Sequence, residues 1–446
     1  MRHRVKTFFM MWLSLILVFT LAACGGSGGG KKDTSEPSPS GSSAQPSQSP
    51  SGETVELTFW HFGQTNYEEL AREYEAAHPN VKIKLTSTES GAHHDNLFNA
   101  LSAGAGAPDI AMVDVGHIER YRPAQDRFHN LYDLGAKDVQ AEYLDWKWAI
   151  AENADGSFLF GLPTDIGPTA MFYRVDLFEQ AGLPTDPAEV AAKLNTWDAF
   201  VQAAKDFTAK TGKPFVDLPE LLFNAIRDQG DKQWFEPSGE FIGGSNEQLK
   251  RAFLTAAQGI QEGWVGSVAM WSPEWNAGME NGDFAVVLGP AWMAGYIKSQ
   301  APNSAGKWRV TDMPEGAGNW GGSYMMLPKE GKHPEIAFDF IKWLVSPENQ
   351  LKSFQSHGLF PSAVKVYDMD GFKNFTDSYF GDQNTAEVFM RAAQKVKKVW
   401  FGPLWDSANN TAYNNGLRKI LAEKNLNPEQ VWNDVIKEIS DTVERQ

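Results

Sequence analysis

The spacing of apolar and polar residues predicts alternating strands and helices in the first part of the folded chain. Residues 55–60 and 81–85 alternate with a period of two, as half-buried strands do. Residues 67–78 between them have helical spacing, and a third strand is predicted over residues 110–115. Strands separated by helices form a parallel sheet with helices on its faces. The pattern therefore predicts an α/β fold.

The loops that follow these strands are the first candidates for a ligand site. In an open α/β sheet, ligands bind beyond the carboxyl ends of the strands. Those ends are followed by the loop after Trp60, by residues 89–95 and by the residues around Asp114. We expect these loops to lie along one rim and to face a ligand.

A second α/β body is predicted after residues 161–165. Residues 171–178 are typical of a strand that runs into a helix, and Thr196 is a suitable N-cap for the helix that follows it. Residues 278–293 combine a helix end, a buried strand and a Gly-Pro turn that carries Trp292.

The N-terminal residues have the pattern of a secretory signal. Basic residues at the start precede an apolar run over residues 8–20 that is too short to span a bilayer comfortably. Cys24 is the only cysteine of 446 residues, and with the preceding Leu-Ala-Ala it resembles a bacterial lipobox. We expect residues 1–23 to be a cleaved signal peptide and Cys24 to carry a lipid anchor to the cell membrane. The alternative is an uncleaved anchor with an incidental cysteine.

The segment between this anchor and the folded body is predicted to be a disordered tether. Residues 24–52 consist mainly of Gly, Ser, Pro, Gln and Lys, with almost no apolar side chain to bury. Such a composition does not offset the entropy cost of ordering the chain.

The amino-acid composition and net charge limit the classes of molecule that the protein can bind. The chain is 42% hydrophobic and 12% aromatic, which supports full cores in two domains. Its net charge of −16 makes nucleic acid an unfavourable partner, because such a partner needs a basic footprint. The phosphate-loop, zinc-protease, nucleophile-elbow and calcium-loop motifs are missing. Adjacent His93 and His94 lack an evident third ligand, so we expect no metal and no cofactor.

Several groups of residues together carry a resemblance to a known family. In chain order they are Ala107-Pro108-Asp109-Ile110, Phe172-Tyr173-Arg174-Val175-Asp176-Leu177-Phe178, Ala181-Gly182-Leu183-Pro184 with Thr196-Trp197, Gly282-Asp283-Phe284-Ala285 with Gly289 and Trp292, Gly321-Gly322-Ser323, Ala337-Phe338-Asp339-Phe340-Ile341-Lys342-Trp343-Leu344, Ser346-Pro347-Glu348-Asn349-Gln350 and Gly358-Leu359-Phe360-Pro361. The chain resembles the family 1 extracellular solute-binding proteins, the sugar-capturing lipoproteins of bacterial ABC importers and relatives of maltose-binding protein. The resemblance covers nearly everything from about Thr54 to the C-terminus.

The resemblance implies an α/β fold of the type II periplasmic binding protein class, with two lobes and a ligand cleft between them. Residues 53–165 plus 318–365 would form lobe 1, and residues 166–317 plus 366–446 would form lobe 2. It further implies hinge closure around a sugar and delivery of that sugar to the permease subunits of an ABC transporter. We expect a monomer that is not an enzyme.

The aromatic residues favour a carbohydrate ligand independently of the resemblance. Sixteen tryptophans are present, and several, including Trp271, fall in predicted loops. An indole face packs against the apolar face of a pyranose ring, although core packing is the ordinary role of a single loop tryptophan. Trp292 matches the family's Gly-x-x-Trp position that lines the cleft, and Trp405 matches a weaker family pattern. With His61 of the first loop, the candidate ligand-binding rings are Trp60, Trp234, Trp275, Trp292, Trp320 and Trp405, a number that suggests an oligosaccharide.

Polar candidates for sugar hydroxyls lie in the predicted rim loops. Gln64 is in the first strand-to-helix loop, where the family commonly places a ligand hydrogen-bonder. Asp114 ends the third strand, and Asp165 borders the crossover to the second lobe. Glu89 is a further candidate, although charged loop residues are usually only solvated.

Two other functional classes were weighed against a binding protein. A secreted glycoside hydrolase shares the tryptophans and needs two carboxylates across the scissile bond. With 56 acidic residues such a pair can always be imagined, so its presence decides nothing. A purely structural surface protein does not explain the cleft-type loops. The ordered family motifs favour the sugar-binding protein over both.

Overall fold

In the computed structural model, the described residues are 54–402 and 404–445. The predicted signal peptide, Cys24 and the tether over residues 24–52 lie outside these ranges. Within them, no helix combines the length and apolar character that crossing a membrane requires.

The described ranges combine short strands with helices, with long helical stretches between β6 and β7 and after β10. The strands are β1 (Val55–Phe62), β2 (Val81–Thr88), β3 (Ile110–Asp114), β4 (Gly161–Pro163), β5 (Asp165–Ile166), β6 (Thr169–Arg174), β7 (Val286–Pro290), β8 (Trp308–Thr311), β9 (Ser323–Met326) and β10 (Phe360–Pro361). The α-helices are α1 (Tyr67–Ala77), α2 (Ser90–Ala103), α3 (Ile118–Tyr121), α4 (Asp145–Ala151), α5 (Val175–Ala181), α6 (Pro187–Lys193), α7 (Trp197–Thr211), α8 (Pro219–Arg227), α9 (Glu247–Glu262), α10 (Pro273–Asn281), α11 (Met293–Gln300), α12 (Pro334–Leu344), α13 (Pro347–His357), α14 (Asp370–Lys373), α15 (Thr385–Ala393), α16 (Trp405–Thr411), α17 (Arg418–Ala422) and α18 (Pro428–Val443).

The first sheet has the strand order β2-β1-β3-β9-β4. Strand β1 pairs in parallel with β2 and β3, with Phe59 opposite Leu85 and Ile110. The three alternating strands predicted from the sequence therefore form a parallel unit. Strand β9 inserts antiparallel between β3 and β4, with Met325 opposite Met112 and Leu162. Spacing alone does not predict this insertion, because β9 comes from far along the chain.

The second sheet has the order β7-β6-β8 and is antiparallel. The predicted strand-to-helix run over residues 171–178 corresponds to β6 and α5. Side chains of β6 alternate between two apolar cores, with Phe172 against Phe389 on one face and Met171 in the core on the other. The predicted N-cap is also found, since the Thr196 hydroxyl accepts a hydrogen bond from the Ala199 N–H at 3.1 Å.

Three chain segments connect the two sheets. The Thr164 N–H donates to the Ser323 carbonyl at 2.9 Å, and the Trp320 N–H donates to the Gly167 carbonyl at 2.9 Å. Strand β10 pairs with β5, with Phe360 opposite Ile166. The observed architecture confirms the expected α/β fold of two bodies joined by crossing strands. The lobe boundaries given above stay a prediction.

Candidate ligand-binding site

A cavity of about 690 Å³ lies between the two sheets, a volume in the usual range of small-molecule sites. Its first wall consists of the loops after β1, β2 and β3, its floor of the connecting segments, and its second wall of residues on the side of the second sheet. The first wall comprises Phe62, Gly63, Gln64, Thr65, Glu89, Ser90, Met112, Asp114, Val115, Gly116 and His117, the floor Asp165, Asn319, Trp320, Gly321, Gly322, Ser323 and Leu359, and the second wall Arg227, Trp271, Trp292, Tyr296, Phe401, Trp405 and Asp406.

Two polar side chains of the first wall already have protein partners. Gln64 Nε2 donates to the Ser299 hydroxyl on the other side of the cleft at 3.0 Å. The Glu89 carboxylate accepts the Ala92 N–H at 3.1 Å and thereby caps the N-terminus of α2. Glu89 thus has a structural role at the cleft rim.

Asp114 is held at the end of β3 by local hydrogen bonds. Its Oδ1 accepts the Gly116 N–H at 2.7 Å, and its own N–H donates to His94 Nε2 at 3.1 Å. His94 Nδ1 in turn lies 2.7 Å from the Ser90 carbonyl, so this histidine carries its proton on Nδ1. Burial lowers the pKa of His94 well below its ordinary value and raises the pKa of Asp114, although nearby His117 acts against the rise.

His93 shows a second backbone role for the adjacent histidines. Its Nε2 lies 2.6 Å from the Met112 carbonyl, and burial lowers its pKa to about 4. Both rings therefore fix β3 as neutral groups. Among the residues described, no cluster of three or more metal-ligating side chains occurs.

The floor of the cavity holds Asp165 beside a buried cation. Asp165 Oδ1 accepts the Thr164 hydroxyl at 2.7 Å and the Ser323 N–H at 3.2 Å. Burial lowers the pKa of the Lys147 ammonium to about 8, with Asp165 and Asp114 acting against the change. Lys147 Nζ lies 4.0 Å from the centre of the Tyr324 ring. A single buried ammonium therefore lies near enough to both cleft carboxylates to influence their pKa values.

Arg227 and Trp405 form one unit on the second wall. Arg227 Nε donates to Asp228 Oδ1 at 2.7 Å, and its guanidinium lies 5.2 Å from the Trp405 ring centre. Trp405 Nε1 donates to Gln233 Oε1 at 2.6 Å. A Cβ at Gly116 would lie 3.1 Å from Trp405 Cζ3, so the absence of a side chain at Gly116 lets this ring approach the first wall.

An ion pair joins the two walls of the cleft. His117 Nδ1 lies 3.0 Å from Asp406 Oδ2, and the His117 ring stacks on His94 at 3.8 Å. Burial alone would lower the pKa of His117, but the hydrogen bond and charge of Asp406 outweigh it and raise the pKa above 6.5. The nearby charged groups are Asp114, which acts in the same direction as Asp406, and Arg120, which opposes them.

Closure is therefore expected to weaken as the pH rises. We expect the pKa of His117 to be higher when Asp406 faces it than when the walls are apart, so protonation favours closure. This contribution disappears as the pH rises through the raised pKa of the paired form. Because Cys24 is the only native cysteine, two engineered cysteines on opposite walls allow fluorescence energy transfer to report the closed fraction. His117→Asn should abolish the dependence above pH 6.5, and an unchanged profile in that variant would contradict the assignment.

Indole rings dominate the second wall and the adjoining floor. Trp292 Nε1 donates to the Trp320 carbonyl at 3.2 Å, and the two ring centres are 5.1 Å apart. Trp271 lies 6.2 Å from Trp292 with its ring plane inclined by only 26°. Tyr296 lies 5.0 Å from Trp271 and contributes a further ring to the wall. Such a surface offers apolar contact to the faces of a flat ligand.

The structure brings most of the sequence-predicted site residues together at this cavity. The predicted residues that line it are Gln64, Glu89, Asp114, Asp165, Trp292, Trp320 and Trp405, whereas Trp60, His61, Trp234 and Trp275 do not.

Trp60 and His61 lie inside a strand, which corrects the prediction that the strand ends at Trp60 and that His61 belongs to the following loop. Strand β1 continues to Phe62, two residues beyond the predicted strand. Its period of two turns His61 to the buried face, where it packs against Tyr67 and faces Glu68. Trp60 is half-buried on the opposite face, and Phe62 is the residue of this strand that reaches the cavity.

Trp234 and Trp275 belong to the interior, which is the second correction. Trp234 is fully buried, donates from Nε1 to Asn409 Oδ1 at 2.8 Å and stacks on Trp432. Trp275 lies on α10 and donates to Asp217 Oδ2 at 2.8 Å, beneath the exposed Trp271. Each indole N–H is satisfied by a buried side chain, as buried tryptophan requires.

Trp234→Phe should lower the free energy of unfolding by about 1–3 kcal/mol, because it removes one of the two donors to Asn409 Oδ1, leaving only Arg227, and reduces apolar packing. Trp271→Phe is the matched control at an exposed position and should change stability by less than about 0.5 kcal/mol. Chemical denaturation measures both values. Equal losses in the two variants would contradict the different burial of these tryptophans.

Sequence reasoning missed several residues that the cavity requires. Arg227, His117 and Asp406 carry charge, which gave no signal because charged residues are frequent outside sites. Trp271 is one of the predicted loop tryptophans but is not among the candidate ligand-binding rings. Tyr296 lies on α11, whose sequence shows no feature that indicates a binding site. These residues are recognised as part of the site only when the fold brings distant segments of the chain together at the cavity.

The family model for bacterial extracellular solute-binding proteins matches residues 63–351. The chain belongs to this family. The finding confirms the resemblance seen in the ordered sequence motifs, and it makes this solute-binding protein extracytoplasmic.

Individual relatives agree with the family assignment. The solute-binding protein is 26% identical over 420 residues to the arabinooligosaccharide-binding protein of Bacillus subtilis (strain 168), covering 87% of this chain and 93% of that protein. It is 25% identical over 370 residues to the lactose-binding protein of Rhizobium radiobacter, covering 78% and 84%. A solved structure of an extracellular solute-binding protein of family 1 aligns with a TM-score of 0.78 and 34% identity, covering 87% of this chain and 100% of that one.

Proposed function

We propose that this solute-binding protein captures a neutral oligosaccharide outside the cytoplasm and delivers it to the permease of an ABC transporter. The observation that carries the proposal is the cleft itself, in which indole faces on one wall oppose carboxylate and amide groups on the other wall and the floor. Indoles suit the apolar faces of sugar rings, and carboxylates accept hydrogen bonds from hydroxyls.

The charge balance of the cleft favours a neutral ligand. Arg227 is paired with Asp228, and His117 is paired with Asp406. Lys147 lies close enough to Asp114 and Asp165 to influence all three pKa values. An anionic ligand would find both cationic side chains of the cavity wall, Arg227 and His117, already paired with carboxylates. Hydroxyl groups need only acceptors and donors, which this cleft offers.

Particular residues are proposed as ligand contacts. The Gly116 N–H donates a hydrogen bond to Oδ1 of Asp114. Oδ2 of Asp114 has no hydrogen-bond donor among the described residues, and Asp114 lines the cleft. We assign sugar hydroxyls to Asp114 and Asp165 and ring contacts to Trp292, Trp320 and Trp405. The relatives are named for an arabinooligosaccharide and for lactose, which supports a ligand of more than one ring.

The proposal includes attachment to the membrane. Residues 1–23 would be removed as a signal peptide, Cys24 would carry the lipid, and residues 24–52 would let the folded body reach the permease. Lobe 1, over residues 53–165 plus 318–365, would close against lobe 2. The protein would act as a monomer. Labelling with radioactive palmitate should fail in Cys24→Ala, and labelling of that variant would exclude this anchor.

We also propose that the protein does not cleave its ligand. The family consists of binding proteins, which supports binding without turnover and gives no support to a glycoside hydrolase. Isothermal titration calorimetry of the soluble chain, with a panel of neutral mono-, di- and trisaccharides, tests the function. At least one di- or trisaccharide should bind with one site per chain and stay intact. Release of reducing ends, or binding of charged solutes alone, would contradict the proposal.

A further inference from the structure

Trp271 is an exposed tryptophan in a backbone conformation that tryptophan rarely adopts. Its side chain is 47% exposed, and its φ of 66° lies in the left-handed region. The Ser272 N–H donates to the Ala269 carbonyl at 3.2 Å, which makes Trp271 the third residue of a β-turn. Met270, the second residue, is not among the residues with positive φ. A turn of this form is type II, which ordinarily takes Gly at the third position.

The neighbours of Trp271 hold its ring in a defined orientation. Trp275 meets it at 5.2 Å with an angle of 90° between the ring planes, and Tyr296 meets it at 5.0 Å with an angle of 82°. Strained residues persist where the surrounding structure fixes them, and they concentrate at functional sites. The chain therefore places a large aromatic surface at the cleft against a local conformational preference.

Trp271 extends the aromatic surface of the cleft and does not enclose a ligand ring. Its ring is inclined by 26° to Trp292, and the two centres are 6.2 Å apart. A sugar ring held between two parallel indoles needs planes roughly 7–8 Å apart, because optimal carbon contacts are about 3.5–4.0 Å on each side. Trp271 and Trp292 are too close for that arrangement, so they present neighbouring surfaces.

These rings form a row from the floor to the exposed end of the cleft. The row consists of Trp320, Trp292 and Trp271, with centre separations of 5.1 and 6.2 Å. Trp320 and Trp292 are half-buried, whereas Trp271 is exposed. A ligand ring on Trp271 would thus be farther from the floor carboxylate Asp165 than a ring on Trp292.

We propose that Trp271 determines the preferred length of the bound saccharide. It contacts the sugar ring that lies beyond the one on Trp292, so that longer chains gain affinity from it and the shortest ligands do not. This inference rests on the proposed carbohydrate-binding function. Trp271 selects among chain lengths and is not required for closure.

Calorimetric titration of a homologous saccharide series tests this role. Trp271→Ala should lose roughly tenfold in affinity for the longer saccharides and less than about twofold for the shortest one that binds. Trp271→Gly should show the same length-dependent loss with a melting temperature at or above that of Trp271→Ala, because both variants lack the ring and only Gly relieves the positive φ. Phe98→Ala, at another exposed large apolar side chain, is the matched control and should bind like the wild type.

The possible outcomes separate this inference from the function on which it rests. Wild-type protein that binds no saccharide would overturn both. Wild-type protein that binds, while Trp271→Ala keeps the full length preference, would overturn this inference alone. An equal loss for every chain length, or the same loss in Phe98→Ala, would also overturn it, because either result reflects a general change rather than an added ring contact.

Discussion

Trp292→Ala should weaken saccharide binding by roughly 1–3 kcal/mol, about 5- to 150-fold in the dissociation constant, because it removes the central aromatic surface of the cleft. Trp292 lies between Trp271 and Trp320 and is fixed by its hydrogen bond to the Trp320 carbonyl. Its position is thus set before the ligand arrives. Isothermal titration calorimetry with the best ligand of the panel measures the change.

A matched control separates contact with the ligand from the general loss of a tryptophan. Trp343 is half-buried on α12, packs against Tyr74 and does not line the cavity. Trp343→Ala should lower stability and leave the affinity within about twofold of wild type. If Trp292→Ala binds as tightly as this control, Trp292 does not contact the ligand.

Gly322→Ala should lower the free energy of unfolding by about 3–5 kcal/mol and also weaken ligand binding. Gly322 has a φ of 87°, and an added Cβ would lie 2.4 Å from the backbone oxygen of Asp165 and 3.0 Å from the Cα of Ile166. The methyl group would push apart two segments that connect the lobes, and it would displace Asp165 from the floor. Chemical denaturation and calorimetry measure the two effects.

Gly239→Ala is a close control for this substitution. Gly239 has a φ of 88°, but an added Cβ would meet no heavy atom within 4 Å. This variant therefore carries the conformational cost alone, about 1–2 kcal/mol, with no change in affinity. The difference between the two variants measures the close approach at the floor. Equal losses of stability would show that crowding at Gly322 has no effect.

The first lobe was predictable because its signals are local. The period of two over residues 55–60 and 81–85 specifies half-buried strands, and the helix between them has its own spacing. The antiparallel insertion of β9 depends on a pairing between distant segments, which no local pattern encodes. The resemblance implied only that residues 318–365 return to the first lobe, and it did not specify the antiparallel pairing of β9.

Sequence patterns located residues at the cavity where a residue terminates an element, and they failed where an element continued. Asp114 lies at the end of β3 and therefore reaches the cleft. His61 does not, because β1 extends to Phe62 and its alternation turns His61 to the buried face. Trp60 shares a face with Phe62 but lies two residues before the end of the strand, and only Phe62 lines the cavity. Trp234 looked like a loop residue, yet it is completely buried against Trp432. Burial of this kind depends on packing between distant segments, which the local spacing of apolar and polar residues does not predict.

The charged residues of the cleft illustrate the same limit. The pairing of His117 with Asp406 joins positions far apart in the sequence, and it exists only because the walls meet. Neither residue carries a motif that would single it out. Their importance, and the pH dependence expected from them, follows from tertiary geometry.

A crystal structure of the soluble chain with the best-binding saccharide is the most direct test of ligand binding in this cleft. We expect density for an intact sugar in the cavity, with one ring on the face of Trp292 and a hydroxyl within hydrogen-bond distance of Asp114. Density for the saccharide outside the cleft, or for a cleaved product within it, would contradict the claim that this cleft binds a neutral glycan without cutting it.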